Sequence, residues 1–236
     1  MKKVAIYYIA TSQYIIFFDE FIRNINNFLP GIEKKIILIT DSDNVNYSNR
    51  SKDDIEVQQK HIDHHYWPII ALFKMYYIDK FFDGECDYHF YFNANMIFYK
   101  ELILDSCFDL YVMNHYCGKD MPFMTLNRNK RCIEVPRSAE CYIDSSEILG
   151  NVIYCQTAFF GGKTDTMKHM LSEVNNMLRN DLSYNIIADW HDETYFNKYM
   201  IKNYWNSNRI EKVSITNMAE YARLLGKGDY FNKFEL

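Results

Sequence analysis

Glycine and proline are scarce here, with 8 and 4 residues in a chain of 236. That scarcity excludes a loop-dominated or low-complexity chain and leaves one rich in regular elements with few flexible linkers. No apolar run approaches the roughly 18 residues needed to cross a bilayer, so no membrane span is expected. Met1, Lys2 and Lys3 followed by VAIYYIA imitate a short secretory signal. The run is brief, rich in Tyr, and passes into Thr11, Ser12 and Gln13 without a small-residue cleavage pattern, so a first strand is the better reading. The six cysteines, Cys86, Cys107, Cys117, Cys132, Cys141 and Cys155, form neither CxxC pairs nor a zinc-ligand rhythm. Free thiols in a reducing compartment are the simplest account. Neither GxGxxG nor GK[ST] is present, so any nucleotide must be gripped without a glycine-rich phosphate loop. With a net charge of −5 and dispersed lysines and arginines, the chain has no basic stripe for nucleic acid.

What is abundant is aromatic: 17% of residues, including 20 Tyr and 17 Phe, within an apolar fraction of 48%. Such a chain can bury a sizeable core, and a single domain over residues 1–236 is expected, with a polar tail after about 218. Tyrosine in this quantity suits sugar and base stacking, but also simple core filling. Val4 to Ile9 reads as a strand. Ile15, Phe18, Phe21, Ile22, Ile25 and Phe28 recur at helical spacing from Tyr14 to Phe28, closed by Pro30 and Gly31. KIILIT, Lys35 to Thr40, reads as a buried strand ending in the turn cluster Asp41, Ser42 and Asp43. Strand, helix, strand at this spacing opens a parallel α/β sheet. A further helix is predicted from Pro68 to Phe82, then strands over Tyr88–Phe92 and Val152–Phe160, and a helix over Asp165–Leu178. The segment between Asn114 and Ser146 reads as loops around a site.

Four constellations could carry chemistry. YHFYFNANMIF, Tyr88 to Phe98, is an apolar run interrupted by two asparagines. Alternation puts Asn93 and Asn95 on one side of an extended backbone, roughly 7 Å apart. Trp190, His191, Asp192 and Glu193 gather an aromatic plate, an imidazole and two adjacent carboxylates. Such carboxylates can divide the labour of holding a hydroxyl and meeting positive charge; equally, acids favour a helix N-terminus. His61 and His65 have i, i+4 spacing, yet no HExxH glutamate lies between them and Pro68 implies a helix that begins later. A surface or loop cluster is the favoured reading over a metal site. In TAFFGG, Thr157 to Gly162, the glycine pair after a strand reads as a turn.

Taken in order, the strand ending in NANM, the strand ending in AFFGG and WHDETYFNKY closely resemble glycosyltransferase family 6. This is the family of the blood-group A and B transferases and the α-1,3-galactosyltransferases. The resemblance runs from the first strand to about Tyr199 and includes the helix that begins near Trp67. It implies a GT-A glycosyltransferase fold, α/β, a single Rossmann-like domain with a mostly parallel central sheet. It also implies a retaining α-1,3-transfer of GalNAc or Gal from a UDP-sugar donor to an oligosaccharide acceptor, a galactoside with fucose by family analogy. Beside that resemblance, the missing membrane anchor and stem point to a cytoplasmic, bacterial form of an enzyme whose animal relatives are Golgi-anchored.

By the same resemblance, Glu193 is the catalytic carboxylate, acting as nucleophile or as electrostatic partner of the anomeric carbon. The donor would be held by Ile9, Ala10, Tyr14, Ile70, Lys74, Asn93, Ala94, Asn95, Gln156, Thr157, Ala158 and Asp192. His115, Trp190 and His191 fall where acceptor contacts are expected. Where the family carries two aspartates on a divalent metal, this chain carries Asn93 and Asn95. Amides are weak ligands for a hard cation but can donate to phosphate, so no metal cofactor is expected. Neutralisation of the leaving group then falls to Lys74 and to tail lysines such as Lys227 or Lys233. Thr157 and Ala158 are small, which leaves room for an N-acetyl group and favours GalNAc. A catalytically inactive sugar- or UDP-binding relative and a UDP-sugar hydrolase are the competing readings.

Overall fold

Strand β1, Lys3–Ile9, is buried on both sides from Val4 onward, and its alternate residues enter two different cores. Val4, Ile6 and Tyr8 join one apolar cluster and Ala5, Tyr7 and Ile9 the other. A strand covered on both faces reads as a continuous apolar run, as a parallel sheet between helical layers requires. The computed structural model describes residues 2–43, 45, 54–97, 101–114, 135–147, 154–204, 207–213 and 216–217. Among them, β2 (Glu33–Thr40), β3 (Ile55–His61), β4 (Tyr88–Asn93), β6 (Leu110–Asn114), β7 (Cys155–Lys163) and β8 (Ile210–Val213) join β1 in a seven-stranded sheet. Its order is β3-β2-β1-β4-β7-β6-β8. The pairings β1–β2, β1–β4, β2–β3 and β6–β8 are parallel, while β7 runs antiparallel to β4 and β6. This is a mixed α/β sheet consistent with the expected GT-A-like arrangement.

One core lies under α1 (Phe18–Phe28), whose Phe18, Phe21, Ile22, Ile25 and Phe28 pack onto Tyr8 and Phe92. The opposite face is covered by α3 (Lys74–Lys80), α4 (Thr164–Ser183) and α5 (Asp192–Tyr204). A two-residue ribbon lies at the tip of β4, where β5 (Met96–Ile97) pairs antiparallel with β9 (Thr216–Asn217).

Several boundaries differ from the sequence expectation. The helix expected over Tyr14–Phe28 begins as a 3-10 segment, Ser12–Phe17, before α1. The single helix expected from Pro68 is divided into α2 (Ile69–Leu72) and α3 by a break at Phe73 (φ −91°, ψ 7°). Strand β3 and the short strand β6 were not anticipated. β3 is only half-buried and polar beyond Val57, so it lacks the apolar pattern of its neighbours.

The expected turn at Gly161 and Gly162 is instead the interior of β7. A Cβ at Gly161 would overlap the Phe90 ring and the His89 carbonyl, and one at Gly162 the Asp109 carbonyl. Glycine serves here for close approach between strands rather than for reversal.

Candidate active site

The parallel strands β1 and β4 are neighbours, yet the chain leaves β1 toward β2 and β3 and returns on the other side. Such a reversal of strand order creates a crevice beyond the carboxyl ends of the strands. A cavity of about 800 Å³ lies at this place. Its walls come from the segment after β1, from His64 through Lys74, from the end of β4, from the start of β7, and from the first turn of α5.

Most of the residues singled out in sequence converge here. Ile9, Tyr14, Ile70, Lys74, Asn93, Ala94, Asn95, Gln156, Thr157, Ala158, Trp190, His191, Asp192 and Glu193 all line the cavity. Ala10 does not: it is fully buried in the α1-side core, and its N–H donates to Ile39 O at 2.9 Å. Small and apolar at the sheet end, it supports the wall from behind. His115, Lys227 and Lys233 lie outside the described residues.

The tip of β4 is fixed from beneath. The buried Tyr8 hydroxyl donates to Ala94 O at 2.7 Å, between the two asparagines. Tyr91, two residues before Asn93 and on the same strand face, donates its hydroxyl to Asn93 Oδ1 at 2.7 Å. With its oxygen engaged as an acceptor, Asn93 turns its NH₂ donors to other partners.

Lys74 is not an open cation. Its ammonium is 2.8 Å from Asp192 Oδ2 and 3.0 Å from Thr157 O, and both members of the ion pair are 6% exposed. It also stands 4.8 Å from the centre of the Tyr91 ring, a cation–π contact. The sequence reading aimed this charge at a leaving group; the fold gives it to Asp192, because both side chains are buried and neither is tolerated there alone. Asp192 keeps Oδ1 for other partners.

Glu193 is the second residue of α5, and both acids do occupy the helix's first turn, so the dipole reading and the cavity reading hold together. Burial pushes the Glu193 carboxyl up to about 7, and the neighbouring Asp192 charge adds to the rise. The Tyr154 hydroxyl, the Lys74 charge and the Thr157 backbone N–H act in the opposite sense. Its Oε1 is buried with no hydrogen-bond partner among the described residues. A buried carboxyl titrating near neutrality and facing a cavity is the kind of group that reacts. Asn197, one turn along, locks it in place: Oδ1 accepts the Cys155 N–H at 2.9 Å, and Nδ2 donates to Cys155 O and Glu193 O, each at 2.8 Å. These bonds tie α5 to the first residue of β7.

The mouth of the cavity is aromatic. Tyr66 and Trp67 are 77% and 74% exposed, and the Trp67 ring meets His191 edge-on at 5.5 Å. His191 itself adopts a left-handed backbone (φ 48°). The histidine triplet is divided: His61 closes β3, His64 bonds Asp41, and His65 leans on Tyr77. The helical i, i+4 spacing of His61 and His65 therefore does not exist in the fold.

The model of the family described as glycosyltransferase family 6 matches residues 2–209. The chain belongs to glycosyltransferase family 6. It is 32% identical over 207 residues to the O-antigen biosynthesis glycosyltransferase WbnI of Escherichia coli, covering 85% of this chain and 82% of that protein. As a family 6 glycosyltransferase it takes a sugar donor and an acceptor. No helix among the described residues is long and apolar enough to cross a membrane.

Sequence reasoning missed Tyr91, Asn197, Asp41 and His64. Tyr91 and Asn197 stood inside the quoted motifs, and two-residue spacing on a strand or four-residue spacing from Glu193 on a helix was signal enough to find them. Asp41 and His64, 23 residues apart, had no local signal linking them.

Proposed function

We propose that this family 6 glycosyltransferase moves GalNAc, or Gal, from a UDP-sugar to the 3-position of a galactoside acceptor with retention of the α configuration and without a metal ion. The observation that carries the reading is the shared cavity: Glu193, with its raised pKa, lies in the same cavity wall system as the neutral Asn93–Asn95 tip. The relative's role in O-antigen biosynthesis supports a bacterial surface oligosaccharide as the acceptor class, in place of the fucosylated galactoside of the animal enzymes.

The residues present do not fit a divalent cation. Asn93 Oδ1 already accepts from Tyr91, the tip carries no carboxylate, and amide oxygens are weak ligands for hard metals. Amide N–H groups suit phosphate oxygens instead, and their neutrality removes the repulsion that two carboxylates would exert on a diphosphate. Lys74 is committed to Asp192, so the tail lysines Lys227 and Lys233 are the better partners for the departing UDP. The β5–β9 ribbon supports this, because the chain enters the tail directly beside the tip.

The ionised Glu193 stabilises positive charge developing at the anomeric carbon. In a double displacement its oxygen bonds to that carbon as UDP leaves, and the acceptor oxygen then displaces the carboxylate while its proton passes to a phosphate oxygen of UDP. In front-face attack it acts only as a counter-charge, while the acceptor proton passes to the departing phosphate oxygen. Asp192, held by Lys74, offers Oδ1 to a sugar hydroxyl. Tyr66, Trp67 and Trp190 give the acceptor an aromatic rim for stacking.

The test is to incubate the protein in EDTA with UDP-GalNAc or UDP-Gal and a galactoside panel, following UDP and glycan product. Transfer predicts both products. Free sugar without glycan would identify a hydrolase, and binding without turnover an inactive relative.

A further inference from the structure

One side chain in the cavity wall, His64, is held firmly at one ring nitrogen and open at the other. Asp41, the residue after β2, has a side chain only 11% exposed. Its Oδ1 accepts the Ser12 N–H at 2.9 Å, and its Oδ2 bonds His64 Nδ1. Ser12 is a non-glycine residue in the left-handed region (φ 50°), a conformation that persists where its surroundings enforce it, often at ligand sites. Burial opposes ionisation of Asp41, but His64 and the Ser12 N–H outweigh it and hold the carboxyl below its usual range. An ionised carboxylate only accepts, so His64 must present its proton at Nδ1. In the neutral ring that leaves Nε2 as a lone-pair acceptor. Nε2 has no partner among the described residues, and both His64 and Ser12 line the cavity.

The sheet order says what such an acceptor would meet. Glu193 and the start of β7 form one side of the cavity, the β4 tip the middle, and the segments after β1 and β3 the other side. On the proposed function, a donor with its sugar at Glu193 and its diphosphate at Asn93 and Asn95 carries its nucleobase toward His64. We propose that His64, oriented by Asp41, reads that base: Nε2 accepts the imide N–H of uracil and disfavours cytosine, whose ring nitrogen at the same place is itself an acceptor. A site built to bond one N–H rejects an analogue lacking it, because the site's own polar group is left unpaired.

The experiment is a titration of UDP and CDP into the wild type, His64→Phe and Asp41→Asn, with far-UV circular dichroism to establish folding. Wild type should bind UDP at least about tenfold more tightly than CDP. His64→Phe should lose most of that preference, with UDP affinity falling about tenfold and CDP affinity little changed. In Asp41→Asn the one amide oxygen serves the Ser12 N–H and the NH₂ faces His64 Nδ1. The ring proton then moves to Nε2, and the preference should shrink or reverse toward CDP. Equal losses for both nucleotides in His64→Phe would assign His64 to ribose or phosphate and overturn the inference, as would an unchanged ratio in Asp41→Asn or no wild-type preference. A wild type that binds neither nucleotide would instead overturn the proposed function. Should His64→Phe fail to fold, the ratio in Asp41→Asn decides.

Discussion

The Tyr91 hydroxyl donates to Asn93 Oδ1 at 2.7 Å, and that bond decides which end of the amide the cavity sees. The same Tyr91 ring carries the Lys74 ammonium at 4.8 Å, and Lys74 in turn holds Asp192. The neutral tip and the acidic first turn of α5 are thus joined through one buried aromatic side chain.

Restoring acids at the tip should restore metal dependence. Asn93→Asp with Asn95→Asp places two negative charges beside the bound diphosphate, so UDP affinity in EDTA should fall by about tenfold or more. Mn²⁺ should recover it in the double variant and leave the wild type unchanged. Calorimetry in both buffers measures this; a wild type whose turnover vanished in EDTA and returned with Mn²⁺ would contradict the metal-free reading.

On the proposed function the ionised form of Glu193 is the one that acts, so kcat/KM should fall on the acid side with an apparent pKa of about 7. Because Asp192 raises this value and Lys74 lowers it, Asp192→Asn should move the acid limb to lower pH and Lys74→Met to higher pH. Residual activity followed from pH 5 to 9 reads both shifts.

The same carboxyl weakens the fold at high pH. Its folded pKa of about 7 lies above its ordinary value of 4.5, so the folded state holds its proton more tightly than the unfolded state. Stability from this group is full below about pH 4.5 and is lost as pH rises through about 7, by about 3 kcal/mol at most. Glu193→Gln should therefore abolish transfer yet raise Tm at pH 8 more than at pH 5. An equal Tm change at both pH values would contradict the burial of the charge.

Breaking the buried pair from the Lys74 side leaves Asp192 unpaired. Lys74→Met should cost about 3–5 kcal/mol, measurable as a lowered urea midpoint. Lys74→Arg should retain more stability, since the cation remains.

Asn197 acts on Glu193 by position alone. Asn197→Ala removes three hydrogen bonds, two of them buried, at about 2–4 kcal/mol. In the fraction that remains folded, kcat should fall with little change in UDP affinity.

Much of the site was legible in local pattern. The Asn93–Asn95 tip, the Gln156–Ala158 strand start and WHDE are each short runs whose residues stay neighbours in any α/β fold, and the cavity collects all of them. The alternation of β1 and the helical spacing of α1 likewise followed from periodicity, because one buried face imposes a repeat that a reader of the sequence can see. By itself, then, the amino-acid order determined the family, the types of the strongly periodic strands and helices, and the chemical content of the site: two amides, two carboxylates and an aromatic rim.

The tertiary structure decided how those groups are used. Lys74 and Asp192 are separated by 118 residues, and no spacing rule couples them; the sheet order brings α3 and α5 to one wall, where burial forces the charges together. Gly161 and Gly162 looked like a turn until the β4–β7 and β6–β7 registers showed backbone and ring where a Cβ would stand. Asp41 and His64 became a pair only because parallel β2 and β3 end side by side. Desolvation and long-range pairing depend on which surfaces the folded chain removes from water, and that is a property of the packed sheet rather than of any segment of it.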